Sequence, residues 1–98
     1  MRRMEYNTSE IMFLSADINY SEIYMTNGEK MLSSTTLLKH EEKFDTFIRV
    51  SKKYLVNPAF VCGYQLQGKS MEIRMQNGNQ MKVSRRRIKT VLSSIIAV

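Results

Sequence analysis

Cationic side chains form two clusters that supply most of the chemistry available to this sequence. Residues 84–89 are Ser-Arg-Arg-Arg-Ile-Lys, and residues 49–53 are Arg-Val-Ser-Lys-Lys. Each cluster puts a serine hydroxyl and several cations at a predicted junction between a strand and a helix. Cations at the start of a helix oppose its dipole, so the arrangement costs stability unless an anion such as phosphate offsets it. The clusters therefore predict a phosphate-binding surface, and the alternative is a run of solvated arginines.

The distribution of charge supports a polyanionic partner. The chain has 98 residues and a net charge of +6. Residues 1–45 contain five basic and eight acidic side chains, a net charge of −3, whereas residues 46–98 contain ten basic side chains and one acid, a net charge of +9. Solubility alone does not require such segregation. Nucleic acid is the commonest partner of so basic a segment.

The residue types do not support an enzyme site. His40 and Cys62 are the only histidine and cysteine, which excludes a disulfide within the chain and a multi-cysteine zinc site. His40 lies beside Glu41 and Glu42, and we expect it to be a solvated helix residue. Cys62 stands in an apolar strand, where we expect it to be buried, and the eight methionines are expected to fill the core. The sequence predicts no enzymatic activity, no metal and no cofactor.

No segment is a candidate for membrane insertion or export. Apolar runs stay well short of the roughly 18 residues that a membrane span needs, and residues 1–5 lack the apolar stretch of a signal peptide. We expect a cytoplasmic protein, with residues 1–9 as a linker or flexible N-terminus and residues 10–98 as a single domain.

Two Asn-Gly pairs predict β-hairpins. Asn27-Gly28 and Asn77-Gly78 are flanked by β-forming residues, which is the pattern of a two-residue turn with positive φ at both central residues. The two segments also resemble each other, because seven positions between Glu22 and Ser34 have the same residue 50 positions later. Hairpins converge readily on such patterns, so the echo supports both hairpins without establishing a duplication.

Short strands joined by tight turns predict a mainly β domain with antiparallel pairing. The predicted strands are residues 11–14, 20–25, 29–32, 47–50, 60–65, 70–75 and 80–83. Helices are predicted at residues 37–43 and from Ser84 onwards, and one helical turn is predicted to begin at Ser51. The chain has no strand–helix–strand alternation of useful length, so a parallel doubly wound sheet is excluded.

Three ordered segments of the chain resemble the LytTR domain, a β-rich DNA-binding module of bacterial response regulators. They are residues 11–16 with Asn19-Tyr20, residues 47–57, and Asn77-Gly78 with residues 83–86. The similarity spans residues 10–92. It implies an elongated antiparallel β domain with two or three short helices, one of them C-terminal. It also implies that the domain binds double-stranded DNA through loops.

The resemblance further implies a role in transcription regulation. The chain would be a free-standing regulator or the output domain of one, and would pair as a dimer on repeated DNA sites near one helical turn apart. As an output domain it would act with a receiver domain or sensor outside these residues. Where the family has His-x-Ser, this chain has Ser51-x-Lys53, so base preference at that position is not carried over.

The motif positions also imply which residues contact DNA. Base contacts are implied for Asn19, Ser21, Lys52 and Arg86. Phosphate contacts are implied for Arg49, Lys53, Arg85, Arg87 and Lys89. Arginine can bridge the O6 and N7 atoms of guanine, whereas phosphate contacts position the protein without specifying sequence.

Two other functions remain open. A single-stranded RNA binder would stack bases on aromatic residues interleaved with cations, and Tyr54, Phe60 and Tyr64 form no such stripe with the arginines. A basic protein–protein interaction module is not excluded by any feature of the sequence. Steep, salt-dependent binding to duplex DNA would distinguish the DNA-binding function from both.

Overall fold

The computed structural model describes residues 7–96, which form two antiparallel sheets, two α-helices and three short 3-10 turns. The strands are β1 (Ile11–Asp17), β2 (Tyr20–Met25), β3 (Lys30–Ser33), β4 (Ile48–Arg49), β5 (Tyr54–Val56), β6 (Val61–Gln67), β7 (Ser70–Met75) and β8 (Gln80–Lys82). The helices are α1 (Leu37–Lys43) and α2 (Ile88–Ile96), and the 3-10 turns are Thr8–Glu10, Pro58–Phe60 and Arg85–Arg87. The predicted mainly β architecture is confirmed.

The larger sheet has five strands in the order β3-β2-β1-β5-β4. Its central strand, β1, is buried on both faces because its first four residues are all apolar. Leu14 faces α1, where it packs in one core cluster with residues such as Leu37 and Leu55. Phe13 faces the opposite way and belongs to the second core cluster.

The smaller sheet, β6-β7-β8, closes this second cluster together with α2. Alternate residues of β7 are buried and exposed, so that Met71, Ile73 and Met75 all face the core. Val91 of α2 packs into the same cluster. Methionine fills irregular core space well, and the predicted core role is confirmed for Met12, Met71, Met75 and Met81.

Both Asn-Gly segments close hairpins, but the predicted turn type is wrong. Gly28 has a φ of 93° and Gly78 has a φ of 95°, whereas neither Asn27 nor Asn77 has a positive φ. In the first turn, the Gly28 N–H donates to the Met25 carbonyl at 3.1 Å, and the Met25 N–H donates to the Glu29 carbonyl at 2.8 Å. This is a three-residue loop that ends on a left-handed glycine, so the asparagine stays in the right-handed region. Its side chain instead accepts the Glu29 N–H.

A two-residue turn joins β1 to β2, and it contains Ile18 with a φ of 55°. Ile18 is the only residue other than glycine with a positive φ in the part of the chain that the structure describes. The corresponding turn between β6 and β7 has Gly68 in that position, with a φ of 61°.

The two three-stranded meanders, β1–β3 and β6–β8, repeat the same structure at an offset of 50 residues. Each follows a 3-10 turn whose preceding residue, Asn7 or Asn57, accepts a backbone N–H with its side chain. The pairing registers correspond residue for residue, from Ser15↔Glu22 to Gln65↔Glu72, and both first strands carry a bulge at the same place. The echo in the sequence is therefore a structural repeat.

Two predicted environments are wrong. His40 is 2% exposed, its Nε2 atom lies 2.9 Å from the Ser33 hydroxyl, and its ring stacks on Phe44. It shares the apolar face of α1 with Leu37 and Phe44, three and four residues away along the helix, which is why it is buried. Cys62 is exposed at the bulge position of β6, whereas Met12 at the corresponding position of β1 is buried.

The helix starts also differ in detail from the prediction. The 3-10 turn Arg85–Arg87 precedes α2, which begins at Ile88, and Ser51 begins a bend rather than a helical turn. The domain measures 48 × 25 × 21 Å, which agrees with the elongated shape that the resemblance implies. Within residues 7–96, no helix is long and apolar enough to cross a membrane.

Candidate nucleic-acid interface

The loop between β4 and β5, residues 51–53, is held in place by Arg49 and is here called the central loop. The Arg49 guanidinium donates from Nε to the Ser51 carbonyl at 2.7 Å and from Nη2 to the Lys52 carbonyl at 2.9 Å. Its Nη1 atom pairs with Glu41 of α1 at 2.8 Å. Charge-assisted bonds of this kind fix a loop more firmly than neutral ones. Arg49 thus acts on the shape of the loop from within the domain.

Lys52 and Lys53 are exposed on this loop. The Ser51 hydroxyl accepts the backbone N–H groups of Lys53 and Tyr54, each at 3.2 Å, so the predicted capping oxygen is used although no helix follows. The Lys53 ammonium lies 5.6 Å from the centre of the Tyr54 ring. The central loop therefore exposes two cations on a backbone that hydrogen bonds hold in place.

The turn between β1 and β2, residues 18–19, lies next to the central loop and is here called the tip. Ser15 pairs with Tyr54, and the Ala16 N–H donates to the Lys53 carbonyl at 2.7 Å. Because β1 and β5 are antiparallel, the end of β1 and the start of β5 lie at the same end of the sheet. Asn19 is exposed at this tip.

The third part of the surface is the 3-10 turn Arg85–Arg87, here called the arginine turn. The Ser84 N–H donates to the Val50 carbonyl at 2.8 Å, which joins this segment to the residue between β4 and the central loop. Arg85 and Arg86 are exposed, as is Lys89 in the first turn of α2. Arg87 is half-buried, and its Nε atom has no hydrogen-bond partner.

Arg86 and Arg87 line a surface cleft together with Arg49 and Glu41. Glu41 is the acidic residue of that cleft, and its carboxylate is already bound to Arg49. The cleft therefore carries an excess of positive charge next to the central loop, which suits an anionic ligand.

Ser21 pairs with Ala16 close to the tip but is not part of this surface. It is fully buried, and its hydroxyl donates to the Thr35 carbonyl at 2.9 Å. In this position Ser21 presents no surface to a nucleic acid. The sequence indicated this burial, because side chains two residues apart in a strand share a face and Ile23 of β2 is buried.

Sequence reasoning did not identify the part that Glu41 plays. The pairing of Glu41 with Arg49 joins α1 to the end of β4, and no local pattern in the sequence connects the two residues. Among residues 7–96, no three His, Cys, Asp or Glu side chains are grouped so as to hold a metal ion.

A sequence profile of the LytTr DNA-binding domain matches residues 2–95, which is nearly the whole chain. The chain belongs to the LytTR family. LytTR domains are DNA-binding domains, and the family is not an enzyme family. The segments that carried the resemblance in the sequence all lie within the matched range.

The LytTR fold is also found among solved structures. The LytTr DNA-binding domain of a methyl-accepting/DNA response regulator from Bacillus cereus has a TM-score of 0.79 and 17% sequence identity, and the match covers 97% of this chain and 88% of that one. At this level of identity the likeness concerns the fold. No curated protein sequence matches the chain significantly.

Proposed function

We propose that this LytTR domain binds double-stranded DNA in a sequence-specific way, as a bacterial transcription regulator or the output domain of one. The observation that carries the proposal is the pair of backbone hydrogen bonds, Ala16 to Lys53 and Ser84 to Val50, that draws the tip, the central loop and the arginine turn together. Because these hydrogen bonds hold the three segments together, their exposed side chains can contact bases and phosphates of one DNA site at the same time.

Base contacts are assigned to the exposed residues Asn19, Lys52 and Arg86. Arginine bridges guanine O6 and N7 with two parallel hydrogen bonds, asparagine suits adenine, and lysine also donates to guanine. Phosphate contacts are assigned to Lys53, Arg85, Arg87 and Lys89. Arg49 holds the central loop in position instead of contacting a phosphate, since its guanidinium already bonds Glu41 and two carbonyls.

Binding to a random duplex across a salt series tests the electrostatic part of the proposal. Four phosphate contacts predict that log affinity falls against log salt with a slope of about −3.6, at about −0.9 per contact. A Lys53→Ala variant removes one of these contacts, so its slope should be less steep by about 0.9. Lys39→Ala, which removes an exposed lysine of α1, is the matched control and should leave the slope unchanged.

A slope near zero would contradict DNA binding through these residues. Selection of bound duplexes from a random pool then tests specificity, because the proposal requires a consensus sequence to emerge. We also propose that two copies bind repeated sites on one face of the duplex, as the resemblance to the LytTR family implies. Equal affinity for single-stranded RNA, or binding to an acidic protein without affinity for duplex, would favour the other two functions.

A further inference from the structure

The tip of the β1–β2 hairpin combines a strained backbone with an exposed aliphatic side chain. Ile18 is 92% exposed and has a φ of 55°. Isoleucine is β-branched, so its Cβ substituents crowd the backbone in the left-handed region, and such a residue at positive φ is a genuine outlier. An exposed side chain also makes no internal contacts that would offset the strain.

The structural repeat shows that the fold itself does not require isoleucine in this position. Gly68 occupies the corresponding position of the second meander and has nearly the same φ, 61°. Both turns join strands of the same length in the same register. Glycine is the residue that such a turn favours. The isoleucine therefore costs folding stability at a site where glycine would serve the hairpin better.

Backbone strain of this kind is concentrated at functional sites, where it can be part of the mechanism. Ile18 directly precedes Asn19, and the hydrogen bond from Ala16 to Lys53 places the tip beside the central loop. The aliphatic side chain thus projects from a surface whose other exposed groups, such as Asn19 and Lys52, are polar or cationic. The apolar group that duplex DNA offers to such a side chain is the 5-methyl group of thymine in the major groove.

We propose that Ile18 is a specificity-determining residue that contacts a thymine methyl group when this domain binds DNA. This inference rests on the proposed function and names one further contact of the same surface. The left-handed backbone fixes the direction of the side chain before binding, so little conformational freedom is lost when the contact forms.

The test compares the wild-type domain with Ile18→Gly on the duplex that selection from a random pool yields. Ile18→Gly removes the side chain and the strain together, so the variant folds, and its melting temperature should equal or exceed that of the wild type. Its affinity for the selected duplex should fall about tenfold, which corresponds to the loss of one buried aliphatic side chain. Its affinity for a random duplex should not change. Leu32→Ala, at a 65% exposed residue of β3, is the matched control and should bind as the wild type does.

A change in the DNA identifies the group that Ile18 contacts. Replacing each thymine of the selected duplex by deoxyuridine removes only the methyl group, and one such replacement should weaken wild-type binding about fourfold. The same replacement should leave Ile18→Gly unaffected, because the two changes remove one and the same contact.

Several results would overturn the assignment. The first is equal affinity of Ile18→Gly and the wild type for the selected duplex, and the second is an equal loss of affinity on the selected and random duplexes. The third is wild-type binding that no deoxyuridine replacement weakens. The fourth is an Ile18→Gly variant that binds anionic lipid vesicles more weakly than the wild type does but binds the selected duplex equally well. A wild-type domain with no salt-dependent affinity for random duplex would overturn the proposed function as well. Normal salt dependence combined with an unaffected Ile18→Gly variant would overturn this inference alone.

Discussion

Three consecutive arginines with different surroundings can be assigned different tasks. Arg85, Arg86 and Arg87 form a 3-10 turn, which has about three residues per turn, so their side chains point about 120° apart. Arg85 and Arg86 are exposed, and Arg86 also borders the cleft beside the central loop. Arg87 borders the same cleft but is half-buried. This difference favours Arg86 for a base and its neighbours for phosphates.

Substitution of each arginine by alanine tests that division. Arg86→Ala should cost about 1–3 kcal/mol of binding free energy on the selected duplex. On random duplex it should weaken binding no more than the loss of one phosphate contact does. Arg87→Ala should weaken binding to both duplexes by a similar factor, since a phosphate contact is independent of sequence. Fluorescence anisotropy with the two duplexes measures both effects. Equal losses for all three variants on both duplexes would show that the arginines are interchangeable charges.

His40 makes the stability of the domain depend on pH. Burial lowers the pKa of this imidazole below 6.5, and the ammonium of Lys43 lowers it further. As the pH falls below 6.5, the unfolded chain takes up a proton that the folded chain resists, so folding loses free energy. The contribution is complete above pH 6.5 and is lost as the pH falls towards the pKa of the folded state.

Urea unfolding at about pH 7.5 and about pH 5.5 measures this effect, and the free energy of unfolding should be smaller at the lower pH. His40→Gln is the matched variant, because its amide can keep the hydrogen bond to Ser33 but does not titrate. Its free energy of unfolding should change less between the two pH values. An identical pH dependence in the two proteins would assign the effect to other groups.

At the scale of elements, the junction of α1 and β4 determines how the central loop is presented. Arg49 joins Glu41 to the carbonyls of Ser51 and Lys52 with a planar group that lysine does not provide. If this junction positions the loop, Arg49→Lys should reduce the preference for the selected over the random duplex although the charge is kept. Preserved preference in Arg49→Lys would instead assign Arg49 to a phosphate.

Glu41→Gln separates positioning from charge at the same junction. Removing the carboxylate makes the surface more positive, which by itself raises affinity for any duplex. The weaker contact between Arg49 and residue 41 should nevertheless lower the ratio of the affinity for the selected duplex to the affinity for the random duplex. Competition binding with the two duplexes measures that ratio directly, and an unchanged ratio would argue against a positioning role.

Elements whose signals are local could be predicted from the sequence, and those that depend on tertiary contacts could not. The Asn-Gly hairpins and α1 lie where the residue pattern placed them, although the turns have three residues because Gly28 and Gly78 alone take the left-handed conformation. The sequence also contained a signal for two buried residues. Ser21 follows the period of two along β2, and His40 has helical spacing to Leu37. The pairing of β1 with β5, which brings the tip to the central loop, joins residues distant in sequence and has no local signal.

The dimensions of the whole molecule restrict how two copies share a DNA site. The long dimension of 48 Å exceeds one turn of B-DNA, which is about 34–36 Å. Two domains that both lie along the DNA axis would therefore overlap at repeats one turn apart on the same face. We therefore expect repeats two turns apart, at about 21 base pairs, to bind two copies most tightly, in place of the spacing near one turn that the resemblance implies.

Gel-shift measurements on duplexes with different spacings between two copies of the selected site test this geometry. A spacing of about one and a half turns should bind more weakly, because the second site then faces the opposite side of the duplex. Tightest binding at one turn would show that the long axis crosses the DNA instead of following it.

The structural repeat has a consequence for the order in which the chain folds. Each three-stranded meander pairs neighbouring strands, whereas β5 returns to β1 across about 40 residues, from Tyr54 to Ser15. Contacts between distant residues carry a larger loop-closure entropy cost and form more slowly, so we expect the meanders to form early and the β1–β5 pair to form late. That late pair carries Lys52 and Lys53 to the tip. We therefore expect a chain that has formed only its hairpins to lack the proposed DNA-binding surface, so that the ability to bind DNA arises late in folding.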